Sequence, residues 1–240
     1  MIRKFIFALI FILPSLAFAV DLDSFYITPK VGVSKSMDAG ETLSTNHLGL
    51  TFNSEDTDIG TGTAFGFSVG KYLTDNFRME LEAMKRTGYD FDALIGPDYY
   101  ELADKATINT TSIFINGFYD FQPFSIGNTP ITPYLGGGVG ISRNKMGFVT
   151  EYNNLGANTW FLDGDSTNEF AYKFSAGTLV SLTEKLSLDV NYQYVNLGAF
   201  KSGSAQYNSL GVPSGNMDKG INGGEIKTQE LMVGLQYTFK

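Results

Sequence analysis

Apolar and polar residues alternate along much of this chain. In residues 25–35, Phe25, Ile27, Pro29, Val31 and Val33 share one face, while Tyr26, Thr28, Lys30, Gly32 and Ser34 share the other. A period of two predicts a strand with one greasy and one polar side. Residues 64–72 repeat it with Phe65, Phe67 and Val69 against Gly66, Ser68 and Gly70, and 77–87 set Phe77, Met79, Leu81 and Ala83 against Arg78, Glu80 and Glu82. Residues 107–121 alternate less cleanly, because Ile113 and Ile115 face one way and Phe114 and Phe118 the other. Further strands are predicted at 132–142, 170–182, 186–195 and 228–239; the last carries Leu231, Val233, Leu235, Tyr237 and Phe239 opposite Glu230, Met232, Gly234, Gln236 and Thr238. Eight strands result.

The connections between them alternate as strictly as the residues. Segments 36–62, 88–106, 143–169 and 196–227 are long and polar, whereas 73–76, 122–131 and 183–185 are shorter. An even number of strands of about 10 residues, joined by long loops on one side and short turns on the other, is the pattern of a transmembrane barrel. Aromatic residues cluster near strand ends, where such a barrel places its interfacial girdles: Phe25, Tyr72, Phe77, Tyr119, Phe121, Tyr134, Phe170, Tyr172, Tyr192, Tyr194, Tyr237 and Phe239. The predicted fold is therefore all-β: an eight-stranded antiparallel transmembrane β-barrel with four long extracellular loops and short periplasmic turns.

The N-terminus supplies an export route. Arg3 and Lys4 precede an apolar stretch over residues 5–16, and Ala17-Phe18-Ala19 is a small-x-small cleavage site, the arrangement of a secretory signal peptide. Residues 1–19 are assigned to that peptide and 20–240 to the barrel. Cleavage would leave 221 residues and remove two positive charges, taking the formal charge from -8 to -10.

Composition narrows the function. The chain has 240 residues, is 43% hydrophobic, has a mean hydropathy of -0.04 and contains no cysteine. Its single strongly apolar run lies at the N-terminus, so a bundle of membrane-spanning helices is excluded. Thiolate clusters and disulfide scaffolds are excluded by the missing cysteine, and 25 acids against 17 bases argue against a nucleic-acid surface.

Four segments carry a family resemblance: FGFSVGKYLTDNFRMELEAMKRTGYDF, TPYLGGGVGIS, FAYKFSAGTLVSLTEKLSLDVNYQYV and KTQELMVGLQYTFK. They look like the small eight-stranded outer-membrane barrels of the opacity-protein and surface-antigen type, including the OmpA- and OmpX-like barrels. The resemblance covers most of strands two to eight and little of the loops. It implies a Gram-negative outer-membrane protein, reached through the Sec pathway, whose loops form the exposed surface. The last strand is similar to a barrel-assembly signal, with Phe239 penultimate and Lys240 after it. Expected partners are outer-membrane lipid and lipopolysaccharide, the barrel-assembly machinery and host surface molecules.

Candidate chemistry is sparse. Lys30, Arg78, Glu80, Glu82, Lys173, Asp189 and Glu230 fall on the inward faces and form a predicted polar cluster inside the barrel. They line an ion path or pair with one another in a filled interior; an eight-stranded barrel is just wide enough for side chains, which favours filling. Gly66, Gly70, Gly136, Gly138 and Gly140 leave a small cavity or make room for Arg78 and Tyr134. The Gly136–Gly140 run lacks dinucleotide-binding spacing. A barrel hydrolase would need a histidine at the rim, and the one histidine, His47, lies in the middle of the first long loop. Asp38, Glu41, Glu55, Asp56, Asp58, Asp90, Asp92, Asp98, Glu101 and Asp104 face Lys105 as the sole base in the first two loops. They read as a solvated anionic surface or a calcium site, as does DGDSTNE at 163–169, which lacks the EF-hand glycine and terminal glutamate. Trp160 and Phe161, near Leu155, are a candidate loop contact or a local core. No cofactor and no metal are expected. The leading reading is a non-enzymatic surface protein whose barrel anchors loops for host or surface contact and envelope integrity; the alternatives are a narrow pore or carrier, and a lipid-modifying enzyme.

Overall fold

The computed structural model describes residues 24–37, 42–45, 51–54, 57–95, 102–152, 158–216 and 218–239. Among them every regular element is a strand: β1 (Phe25–Ser36), β2 (Thr42–Thr45), β3 (Thr51–Ser54), β4 (Thr57–Asp58), β5 (Thr61–Tyr72), β6 (Phe77–Ile95), β7 (Leu102–Asp120), β8 (Phe124–Ile126), β9 (Thr129–Met146), β10 (Val149–Tyr152), β11 (Asn158–Ser181), β12 (Leu186–Asn208), β13 (Pro213–Asn216) and β14 (Gly220–Thr238). The eight long strands pair antiparallel in the order β1, β5, β6, β7, β9, β11, β12, β14. Pairing of β14 with β1, from Tyr26 opposite Thr238 to Ser36 opposite Thr228, closes the ring. Closure leaves no open sheet edge in the wall, which a lipid environment requires.

Side chains are sorted opposite to a water-soluble protein. Leu81, Ile115, Val139 and Leu231 point outward and are 55–59% exposed, whereas Arg78, Glu82 and Lys173 point inward and are 1% exposed. A continuous outer band of aliphatic and aromatic side chains is stable in hydrocarbon and costly in water. Residues that alternated imperfectly in the sequence obey the same rule: Ile113 and Ile115 face out, and Phe114 and Phe118 face in.

The short turns are built alike. In 73–76 the Thr74 Oγ1 accepts from the Phe77 amide at 3.0 Å, and Leu73 N donates to Phe77 O at 2.8 Å. In 183–185 the Thr183 Oγ1 accepts from the Leu186 amide at 3.1 Å, and Leu182 N donates to Leu186 O at 2.8 Å. A threonine hydroxyl thus satisfies the same orphan amide in both reversals.

At the opposite end the four long connections differ from the polar loops expected. Much of each is strand: β6 runs eight residues past 87, to Ile95, β11 starts at Asn158 rather than 170, and β12 continues to Asn208. These extensions form a turret with its own apolar core, in which Tyr89, Phe91, Ile108, Met146, Val149, Leu162, Leu197, Phe200 and Ile221 are buried against one another. Sequence periodicity hid it because the apolar face changes sides. On β6 the odd-numbered Met79 and Leu81 face outward; pairing with β7 shifts register between Arg86 and Tyr89, at Gly88 with φ +83°, and the odd-numbered Tyr89, Phe91 and Ala93 then face inward. On β12 the even-numbered Tyr192 faces outward, register with β14 shifts between Asn196 and Ala199 at Gly198 with φ +74°, and the even-numbered Phe200 faces inward. A one-residue slip turns a whole strand face over. Each bulge therefore converts a lipid-facing stripe into a core-facing one where the strand leaves the apolar band.

Candidate functional site

The lumen holds four buried cations and five buried carboxylates among the described residues, arranged in three tiers. Nearest the short turns, Arg78 Nε donates to Asp120 Oδ1 at 3.1 Å and Nη1 to the Tyr26 hydroxyl at 3.2 Å. Its guanidinium lies 4.3 Å from the Phe118 ring, 4.6 Å from Tyr134 and 5.6 Å from Tyr26, so a planar cation fills the bore among three aromatic faces. Tyr134 donates to Asp189 Oδ1 at 2.6 Å.

In the middle tier Lys30 Nζ contacts Glu80 at 2.7 Å and Glu82 at 3.0 Å, and Lys173 Nζ contacts the other oxygen of Glu82 at 2.5 Å. Asn116 donates to Glu80 at 3.3 Å, and Lys173 sits 5.3 Å from the Phe114 ring. In the third tier Arg86 grips Glu230 with Nε at 2.5 Å and Nη2 at 3.1 Å, while Ser34, Thr228 and Gln193 donate to the same carboxylate at 2.6, 2.9 and 2.6 Å. Above it the Tyr89 hydroxyl meets Ser34 Oγ at 2.5 Å, and the apolar turret core begins.

All seven residues assigned from sequence to the inward faces are placed there by the structure, but the pairings differ from simple adjacency. Arg78 and Glu80, two residues apart, do not share a partner: Arg78 goes to Asp120, and Glu80 to Lys30. Glu230 serves Arg86. Arg86 and Asp120 were missing from the sequence-based set. Arg86 has the same parity as Arg78, Glu80 and Glu82 on β6, and Asp120 the same parity as Phe118 on β7, so continuing each inward face to its end would have found both.

The lumen glycines make room for neighbouring strands rather than for facing ones. A Cβ at Gly136 would run into the Phe118 ring, one at Gly138 into Asn116, one at Gly66 into Met84, and one at Gly70 into Tyr26. Two aromatics expected in the girdles, Tyr134 and Tyr72, belong to the bore: Tyr134 is buried, and the Tyr72 hydroxyl accepts from Gln236 at 3.2 Å. The outer girdle near the turret holds Tyr172, edge-on to Phe174 at 6.0 Å and tilted against Tyr194 at 6.3 Å.

The turret carries the remaining candidates. Trp160 and Phe161 lie in β11 rather than in a loop, paired with Glu151 and Asn208 and with Thr150 and Tyr207. Trp160 stands on the same strand face as Leu162, one step from the core. Residues 163–169 are also strand, Asp165 to Glu169 pairing with Met146 to Ser142 of β9; Asp165 and Glu169 share a face but stand four residues apart, Asp165 pairing with Lys201 and Asp163 accepting from the Ala205 amide, so the three carboxylates do not converge. Lys105 meets Asp92 at 2.9 Å on the outer surface, and that hydrogen bond holds its ammonium above the usual lysine range. Phe148, at 68% exposure, and Leu210, at 85%, are the most exposed large apolar side chains of the turret's described residues. No group of three His, Asp or Glu residues able to hold a metal occurs among the described residues. His47, Asp38, Glu41, Glu55, Asp56, Asp98, Glu101 and Leu155 lie outside the described residues, as do residues 1–19 and Lys240.

Comparison with known proteins agrees with this geometry. The outer membrane protein beta-barrel domain family matches residues 5–239. The outer membrane protein PagN of Salmonella typhimurium is 25% identical over 230 residues, covering 90% of each chain. A putative adhesin of Rickettsia rickettsii is 24% identical over 209 residues, covering 80% of this chain and 87% of its own. Among solved structures, OprG of Pseudomonas aeruginosa superposes with a TM-score of 0.56 at 14% identity, covering 90% of this chain and 96% of its own. Neisserial surface protein A gives 0.50 at 16% identity, covering 90% and 98%. A closed eight-stranded wall, an apolar exterior and a family match along nearly the whole chain place the protein together: it belongs to the outer membrane protein beta-barrel domain family and resides in the outer membrane of Gram-negative bacteria.

Proposed function

We propose that this protein is a non-enzymatic surface protein, in which the barrel is a membrane anchor and the turret a preformed platform for contact with host or neighbouring-cell molecules. The observation that carries this reading is the turret itself. An apolar core above the membrane band holds the described parts of the long hairpins as extended sheet, so the outer surfaces of those parts are ordered before any partner arrives and binding there costs less ordering entropy. Phe148, Leu210 and Val212 are exposed on it, apolar positions of the kind that anchor protein contacts. Relatives carrying the name putative adhesin support the same role.

The filled lumen supports anchoring over conduction. The three tiers of paired side chains occupy the bore from Asp120 to Glu230. Residues 1–19 act as the export signal in this reading, and the final strand, with Tyr237 and Phe239 packed edge to face at 5.1 Å, as the signal to the barrel-assembly machinery.

Expression in a non-adherent Gram-negative host tests the proposal. Cells displaying the protein are expected to bind cultured mammalian cells or each other above empty-vector cells, and Leu210→Ser with Phe148→Ser to lower that binding at equal surface amount. Equal binding with and without the protein would overturn the adhesive role. In planar bilayers the protein is expected to give no discrete conductance; reproducible channels altered by Glu82→Ala would replace the anchor reading with a pore.

A further inference from the structure

The edge of the apolar band is sharp on one side of the barrel. Ala83, Ile113, Ile141 and Phe170 stand in one register row across β6, β7, β9 and β11 and all point outward. The next outward row toward the turret is Lys85, Thr111, Arg143 and Asn168, and the row after it contains Asn109, Lys145 and Ser166. Three cations thus sit one and two steps beyond the last lipid-facing side chains. Strand spacing of about 4.8 Å and a two-residue step of about 6.8 Å keep them within one headgroup's reach of each other.

These cations line a groove of about 830 Å³ whose wall also includes Phe148, Asp163 and Asp165. Both carboxylates are engaged elsewhere: Asp165 with Lys201 at 3.1 Å and with the Ser166 amide at 2.7 Å, and Asp163 with the Ala205 amide at 2.8 Å. Arg143 donates to Ser166 at 3.1 Å. Among the described residues none of the three cations has a carboxylate at ion-pair distance. Three cations without an ion-pair partner on a chain of net charge -8, at the boundary between hydrocarbon and headgroup, match an anion of the bilayer surface rather than a free solute. Groove and apolar edge together accommodate a ligand with acyl chains below and phosphate above.

We propose that Lys85, Arg143 and Lys145 bind the phosphate groups of phosphorylated glycolipid in the outer leaflet, its acyl chains lying against Ile141, Ile113 and Phe170. The site rests on the membrane placement and not on the adhesive role, so either can fail without the other.

The test uses the full-length protein in phosphatidylcholine bilayer discs, reading the temperature at which the folded band is lost in heat-modifiable gel mobility. Adding lipopolysaccharide is expected to raise that temperature, and the Lys85→Gln, Arg143→Gln, Lys145→Gln triple variant to lose the rise. Affinity for the lipid is expected to fall roughly fivefold for each cation removed, the worth of one charge near an anionic surface, and to weaken with added salt. Lys71→Gln, which removes a charge at the opposite rim, is expected to keep the full response. Lipopolysaccharide stripped of its lipid phosphates, and inorganic phosphate alone, are expected to give no rise. An undiminished rise in the triple variant, or an equal one with the dephosphorylated lipid, would overturn the proposal; a rise with inorganic phosphate would overturn the lipid as its source. Should the triple variant not fold, Arg143→Gln alone is read the same way.

Discussion

Arg86 and Glu230 meet inside the barrel through a two-pronged contact, Nε to Oε1 at 2.5 Å and Nη2 to Oε2 at 3.1 Å, although 144 residues separate them. Their strands, β6 and β14, are separated in the wall by β5 and β1, so the pair ties the last strand to the first hairpin across the closure. Both side chains are fully buried. Removing one partner leaves an uncompensated charge away from water, which costs about 3–5 kcal/mol. Glu230→Ala is therefore expected to lower the urea midpoint of unfolding sharply, and the Arg86→Met, Glu230→Leu double variant to recover most of the loss. Additive damage in the double variant would contradict the pairing.

The two bulge glycines differ in what a side chain would meet. At Gly88 an added Cβ has open space, its nearest contact being Gly62 Cα at 4.0 Å, so Gly88→Ala pays only for left-handed backbone, about 1–2 kcal/mol. At Gly198 the same atom would collide with the Glu169 side chain as well. Gly198→Ala is expected to be the more damaging of the two in thermal unfolding; the reverse order would show that the bulge at Gly198 relaxes freely.

The turret core is expected to yield without the membrane wall. Phe200 packs edge-on against Phe91 with ring centroids 5.6 Å apart, and Phe200→Ala should cost about 3–5 kcal/mol of local stability. The chain has one tryptophan, Trp160, which lies in the turret strand β11 and reports on this region by fluorescence. Phe200→Ala is expected to shift the Trp160 emission and expose the hairpins to protease, while the gel mobility of the folded barrel is unchanged. Loss of the folded band at the same point would mean that turret and wall unfold as one.

Much of this architecture is legible in the residues. Period two, the signal-like N-terminus and alternating connection lengths specify a closed barrel because one face of every strand must tolerate lipid, and that constraint is written at every second position. Inward charges such as Glu82 and Lys173 stand out for the same reason. The turret is not legible, because Tyr89 and Phe91 continue the odd-numbered apolar series of Met79 and Leu81 and betray no change of side. The reversal comes from a register slip at Gly88, a relation between two strands that no single-strand pattern contains. Long-range partners were hidden likewise: parity predicts that Lys30 and Glu230 face the bore, but tilt and stagger decide which charge on another strand each one meets.

The orientation of the turret relative to the cell is tested most directly by labelling single cysteines in a chain that has none of its own. Leu210→Cys lies at the exposed tip of the β12–β13 hairpin and Glu184→Cys in the short turn before β12. With a membrane-impermeant maleimide on intact cells, Leu210→Cys is expected to react at once and Glu184→Cys only after the outer membrane is permeabilised. Labelling of Glu184→Cys on intact cells, with Leu210→Cys protected until permeabilisation, would contradict a turret that faces the outside.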